Sequence, residues 1–169
     1  IVVSLNAFLE GPFKGTSMNT QLNSNGDLPL SQPFNQAPWN YAGDESVTSI
    51  TNANIVDWIL IELRQSMGNA ATARDYTMIA RQAAFLKSDG SVIGTYGDYV
   101  PYFDVPITQN LYVVLWHRNH LGILSANAVT HVNGNYSYDY TASADNIYGG
   151  LYGCKELSAG VYGMISGCL

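Results

Sequence analysis

Charge is scarce in this sequence. Asp, Glu, Lys and Arg make up 12% of its 169 residues, about half the usual share of a soluble domain, while hydrophobic residues make up 47%. Seven basic residues stand against thirteen acidic ones, for a net charge of −6, and no stretch gathers Lys or Arg. Binding to a polyanion begins with counterion release by a positive patch, so nucleic acid and anionic membrane surfaces are not expected partners. No apolar run reaches the roughly 18 residues of a bilayer-crossing helix, so no membrane span is expected. A basic stretch followed by an apolar one is also missing at the start, as expected of a processed chain.

Cysteine is nearly absent. Cys154 and Cys168 have no CxxC spacing and no companion histidine, which argues against zinc. They are equally compatible with a disulfide and with two free thiols. A disulfide would tie down the Gly-rich C-terminal segment, add roughly 3 kcal/mol in the loop-entropy account and imply an oxidising, extracellular setting. The signatures of catalysis are lacking as well: there is no GxSxG elbow and no Gly-rich phosphate loop, and most serines sit in turns. Asp57, Glu62, Asp98 and Asp104 supply carboxylates, but any two carboxylates of a β fold could be nominated as a glycosidase pair. No enzyme is expected. Nor is a cofactor, with calcium alone left open through the oxygen-rich loops NSNGD (23 to 27) and SADN (143 to 146), neither of which has the full spacing of an EF-hand.

What is present reads β. The chain holds 12 Tyr and 16 Gly with many Asn, Thr and Val, and several segments alternate with period two. In VVSLNAFLEG, Val3, Leu5, Ala7 and Leu9 share one face of a half-buried strand. IVDWILIELR (55 to 64) is apolar on nearly both faces, as in a central strand covered on each side. Residues 12 to 54 hold four prolines and repeated turn chemistry, which predicts a long ordered loop. Residues 79 to 87 run into Ser-Asp-Gly-Ser and are expected to pair with 91 to 95, and Asn133-Gly134 marks a second hairpin. With no βαβ rhythm, internal repeat or linker, residues 1–169 are expected to form a single all-β domain. Its expected architecture is an antiparallel β-sandwich, immunoglobulin-like or jelly-roll-like, with long ordered loops.

The stretch LYVVLWHRNHLGILSANAV (111 to 129) sets His-Arg-Asn-His among apolar residues. Strict alternation puts Leu111, Val113, Leu115, His117, Asn119 and Leu121 on one face and Tyr112, Val114, Trp116, Arg118 and His120 on the other. The two histidines would then point opposite ways, against a shared metal. A guanidinium in such surroundings needs a partner, so Arg118 is expected to pair with Asp57 or Glu62 and to find a ring face on Trp116 or Trp58. The five residues Asp57, Glu62, His117, Arg118 and His120 are thus expected to form one structural polar cluster. Tyr136, Tyr138 and Tyr140 share a face and, with Trp39 and Tyr41, make either a stacking platform for sugar rings or ordinary cross-strand packing; packing is the favoured reading.

Several segments together, FLEGPFKGTSMNTQLNSNGDLPLSQPFNQAPWNYAGDESVTSI, IVDWILIELR, IARQAAFLKSDGSVIG and LYVVLWHRNHLGILSANAV, resemble a module recurrent in large secreted and cell-surface proteins of Bacteroidetes, hemagglutinin-like or adhesin-like. The resemblance spans nearly the full chain and rests above all on HRNHLGILSA. It implies an extracellular or outer-surface location and a β-rich fold, and transfers no catalytic residues. Relatives continue past the GMISG segment into a calcium-type stretch and a sorting domain, whereas this sequence ends at Gly-Cys-Leu, which suggests a subunit that assembles by itself. The expectation is therefore a non-enzymatic, self-associating or filament-forming adhesin-like surface subunit. Its partners would be identical subunits, with Val3, Leu5, Ala7 and Leu9 as the strand donated to a neighbour. The alternative is a carbohydrate-binding module that meets surface glycans for a secreted polysaccharide-degrading system.

Overall fold

The computed structural model describes residues 1–167. Among them the fold is all-β and sandwich-like, with ten strands and hardly any helix. The strands are β1 (Val2–Asn6), β2 (Ile55–Ser66), β3 (Met78–Lys87), β4 (Val92–Ile93), β5 (Asn110–His117), β6 (His120–Leu124), β7 (Thr130–Val132), β8 (Asn135–Asp139), β9 (Lys155–Ser158) and β10 (Val161–Gly163). One antiparallel sheet has the order β4-β3-β2-β5-β6. A second has the order β1-β8-β7, in which β1 runs parallel to β8, and β9 and β10 form a hairpin. The parallel pair joins the first strand to residues 135–139, a long-range contact that local alternation does not encode.

β2 is central because its sequence is apolar on both faces. Ile59, Ile61 and Leu63 pack into the main core with Val113 and Leu115 of β5 and with Val3, Leu5, Tyr136 and Tyr140 of the other sheet's segments. Burying each such aliphatic side chain stabilises by about 1.5–3 kcal/mol before chain entropy is set against it. On the opposite face Ile55, Trp58 and Leu60 pack with Ala83 and Phe85 against Leu28 and Phe34 of the long loop. That loop, expected over 12 to 54, contains only a one-turn helix, α1 (Gln21–Ser24), and isolated bridges. Buried Gln32 staples it: its amide donates to Gly43 O (2.9 Å) and its Oε1 accepts from Phe34 N (2.7 Å).

Both predicted hairpins form. Phe85 pairs with Ile93 and Leu86 with Val92 across the Asp89-Gly90 turn, where Gly90 has φ +89°. Asn133 and Gly134 take positive φ values of 51° and 79° between β7 and β8, the geometry of a tight hairpin turn.

β1 shows the alternation read from the sequence, with Val3, Leu5, Ala7 and Leu9 at 2% exposure or less. Its partners, however, are its own chain's. One edge pairs with β8, and the other meets residues 90 to 103 through Ala7 N to Gly90 O (2.9 Å), Val3 N to Pro101 O (3.0 Å) and Phe103 N to Ile1 O (2.9 Å). The strand expected to be donated to a neighbour instead completes this domain. The tyrosine ladder is likewise interior: Tyr140 is fully buried and donates to Val113 O (2.8 Å), Tyr136 is buried, and half-buried Tyr138 donates to Asn146 O (2.7 Å). These three rings are sheet packing and form no stacking platform.

Candidate functional site

The polar stretch at the end of β5 is a turn rather than the middle of a strand. His117 pairs with His120 across the two-residue connection Arg118-Asn119, so β5 and β6 form a hairpin whose tip is His-Arg-Asn-His. Alternation does not continue through a turn. The histidines expected to point apart therefore face each other, with Nδ1 to Nδ1 at 2.9 Å and rings nearly perpendicular.

Around them runs a chain of contacts. His117 Nε2 meets Asp57 Oδ2 at 3.0 Å, Arg118 Nη2 donates to Asp57 Oδ1 at 2.7 Å, Asn119 N donates to His117 Nδ1 at 3.2 Å, and His120 Nε2 lies 2.7 Å from Glu10 O. Proton positions follow from the partners. A carbonyl only accepts, so His120 carries a proton on Nε2; the Asp57 carboxylate only accepts, so His117 carries a proton on Nε2. The Nδ1 to Nδ1 contact is a hydrogen bond when either ring carries a second proton. Burial lowers the His120 pKa, against the pull of the Glu10 carbonyl, and the charge of His117 lowers it further. Burial would raise Asp57, but the hydrogen bond and charge of His117, with the charge of Arg118, outweigh it and hold the carboxyl below its usual value. The predicted partnership of Arg118 with a carboxylate of 55 to 64 is met by Asp57.

Glu62 belongs elsewhere. It lies on the other face of β2, fully buried, five residues from Asp57 on the same strand. Its Oε1 accepts from Arg64 Nε (2.7 Å) and pairs with Arg64 Nη2 (2.6 Å); its Oε2 accepts from Arg81 Nε (2.7 Å) and Trp116 Nε1 (3.2 Å). The expected single cluster is thus two centres on opposite faces. Trp58 and Trp116 are not the ring faces foreseen for Arg118: Trp58 packs on Phe85, with ring centroids 4.2 Å apart, and its Nε1 donates to Pro29 O. Arg64 and Arg81 were missed as partners, although Arg64 follows Glu62 by two positions on one strand and Arg81 sits directly across from it.

The Glu62 centre reaches the surface through two tryptophans. It fixes the Trp116 indole directly, and Arg81 Nη1 donates to Trp39 O at 2.8 Å. Trp39 also packs edge-on against Phe34, with centroids 5.3 Å apart. Trp116 lies across Gly122, where a Cβ would come within 2.4 Å of its ring. Between the loop and the hairpin tip opens a cleft of about 490 Å³, lined by Trp39 and Trp116, by Pro33 and Pro38, and by Gln36, Arg118, Asn119 and His120 among others. Two N–H donors of its lining residues, Trp39 Nε1 and Arg118 Nε, have no hydrogen-bond partner. Tyr41 does not line this cleft; its hydroxyl donates to Glu45 Oε1 at 2.5 Å, and burial followed by Glu45 raises its pKa.

Neither expected calcium loop gathers carboxylates. In 23 to 27 the Asn23 amide donates to Asn52 O (2.9 Å), and in 143 to 146 Ser143 Oγ accepts from Asp145 N (3.1 Å). Among the described residues no three His, Cys, Asp or Glu side chains come together as a metal site. Cys154 is buried and its thiol donates to Gly150 O (3.3 Å), while its expected partner Cys168 lies outside the described residues. No described helix is long and apolar enough to cross a membrane. Compared with protein-family models, curated proteins and solved structures, the chain matches none.

Proposed function

We propose that this chain is a non-enzymatic, adhesin-like surface module that binds saccharide in the cleft between Trp39 and Trp116. The observation that carries this reading is one buried ion-pair centre that holds the Trp116 indole and the main chain at Trp39, with an open, largely apolar cleft between loop and hairpin. A sugar ring presents an apolar face that stacks on an aromatic ring, while amides such as Gln36 and Asn119 exchange hydrogen bonds with its hydroxyls. Side chains already fixed in position lose little entropy when a ligand arrives. Of the tyrosines and tryptophans considered as a platform, Trp39 alone serves here, joined by Trp116. Isothermal titration against a panel of oligosaccharides tests the reading, with Trp39→Ala as the control. Binding lost in the variant is the expected result; binding that survives it at full strength would place the saccharide elsewhere.

Self-association remains a second reading, moved to a different strand. β7 is an edge strand with Thr130, His131 and Val132 all exposed, so its free side offers the backbone groups through which sheets add strands. Light scattering across a concentration series should show mass growing with concentration, and a constant monomer mass of one chain would end that reading.

A further inference from the structure

The cleft's charge is unlike that of the molecule around it. The chain as a whole carries −6, yet no Asp or Glu lines the cleft. Arg118 is its one permanently charged lining residue, joined there by His117 and His120. The guanidinium is fixed but not used up. Nη2 is anchored on Asp57 Oδ1 at 2.7 Å, and the side chain keeps 29% of its surface exposed. Asp57 itself is buried, with its other oxygen on His117. An incoming anion therefore meets donors and no exposed carboxylate. A positive group that is held in place and partly exposed favours a ligand bearing negative charge.

We propose that the saccharide taken by this cleft carries a carboxylate, as in a uronic acid, which Arg118 receives while Trp39 and Trp116 hold the sugar ring. This rests on the saccharide reading above and narrows it to acidic sugars. A carboxylate on Arg118 exchanges a hydrogen bond to a neutral hydroxyl for a hydrogen-bonded ion pair, which favours the acidic sugar over its neutral counterpart by roughly tenfold in affinity.

The test is calorimetric titration with two probes of matched length, an oligogalacturonate and the corresponding neutral galactose oligomer, against the unaltered protein, Arg118→Gln and Arg118→Lys. The expected result is tighter binding of the oligogalacturonate, a preference abolished by R118Q and partly kept by R118K. A cooperative thermal melt of each variant shows that it folds. Equal affinity of the unaltered protein for both probes, or a preference untouched by R118Q, would overturn the acidic-sugar inference and leave saccharide binding standing. Failure of both probes to bind would overturn the inference together with the reading beneath it.

Discussion

Asp57 and Glu62 sit five residues apart on one strand, both buried, and are neutralised in different ways. Glu62 faces the loop-covered side and is held by two arginines and an indole N–H, none of which changes charge in the physiological range. Asp57 faces the main core and is held by one arginine and by the first of two histidines that oppose each other at 2.9 Å. The difference teaches where a buried carboxylate acts as a fixed strut and where it belongs to a site that can respond. Glu62 positions the rings of the cleft from beneath; Asp57 positions the one guanidinium that faces a ligand.

Removing each carboxylate in turn should separate the two. Glu62→Gln strands two mostly buried guanidinium groups and should cost about 3 to 5 kcal/mol of unfolding free energy, measured by urea denaturation. Asp57→Asn should cost less, about 1 to 3 kcal/mol, because the Arg118 side chain is 29% exposed and can turn to water. Equal losses would mean that the two centres are structurally equivalent.

A Cβ at Gly122 sharpens the contrast from the binding side. Gly122→Ala pushes on the Trp116 ring and should cost about 1 to 3 kcal/mol of stability, the usual range for overpacking, while weakening saccharide binding through a reshaped cleft. Unchanged affinity in calorimetry would show that the position of Trp116 does not matter to the ligand.

The smallest effect concerns protons. His120 has a pKa below the unfolded value, so as pH falls through about 6.5 the unfolded chain takes up a proton before the folded one does, and stability declines. Asp57, also lowered, contributes stability that is present above its unfolded pKa of about 3.9 and is lost only as pH falls through its folded value. Glu10, held at about 2 by the hydrogen bond from Lys155 and then by Ser166 N, follows the same sign. Thermal melts between pH 7 and 5 should therefore show a modest loss that His120→Gln reduces.

How much of this was legible in the sequence depended on range. The two-faced burial of β2, the inward face of β1 and both hairpins follow from alternation and turn residues, which are local. Arg118 could be assigned a carboxylate because a guanidinium among apolar residues needs one, and Asp57 supplied it. The facing histidines were not legible, since strict alternation was carried through Arg118 and Asn119 where the chain turns; His-Arg-Asn-His between two apolar runs could have been read as a two-residue hairpin. The pairing of β1 with β8, and the joining of Trp39 to Trp116 across a cleft, depend on contacts between distant segments that no local pattern contains. The tyrosines were placed on the correct shared face, and only the tertiary fold decides that this face looks inward.

The chain has three tryptophans, so three indole N–H signals report on the cleft directly. Nitrogen-15 correlation spectra recorded while an oligogalacturonate is added should move the Trp39 and Trp116 signals and leave that of Trp58, which is fully buried and bonded to Pro29 O, in place. A saturating titration in which Trp39 and Trp116 stay still would contradict the account.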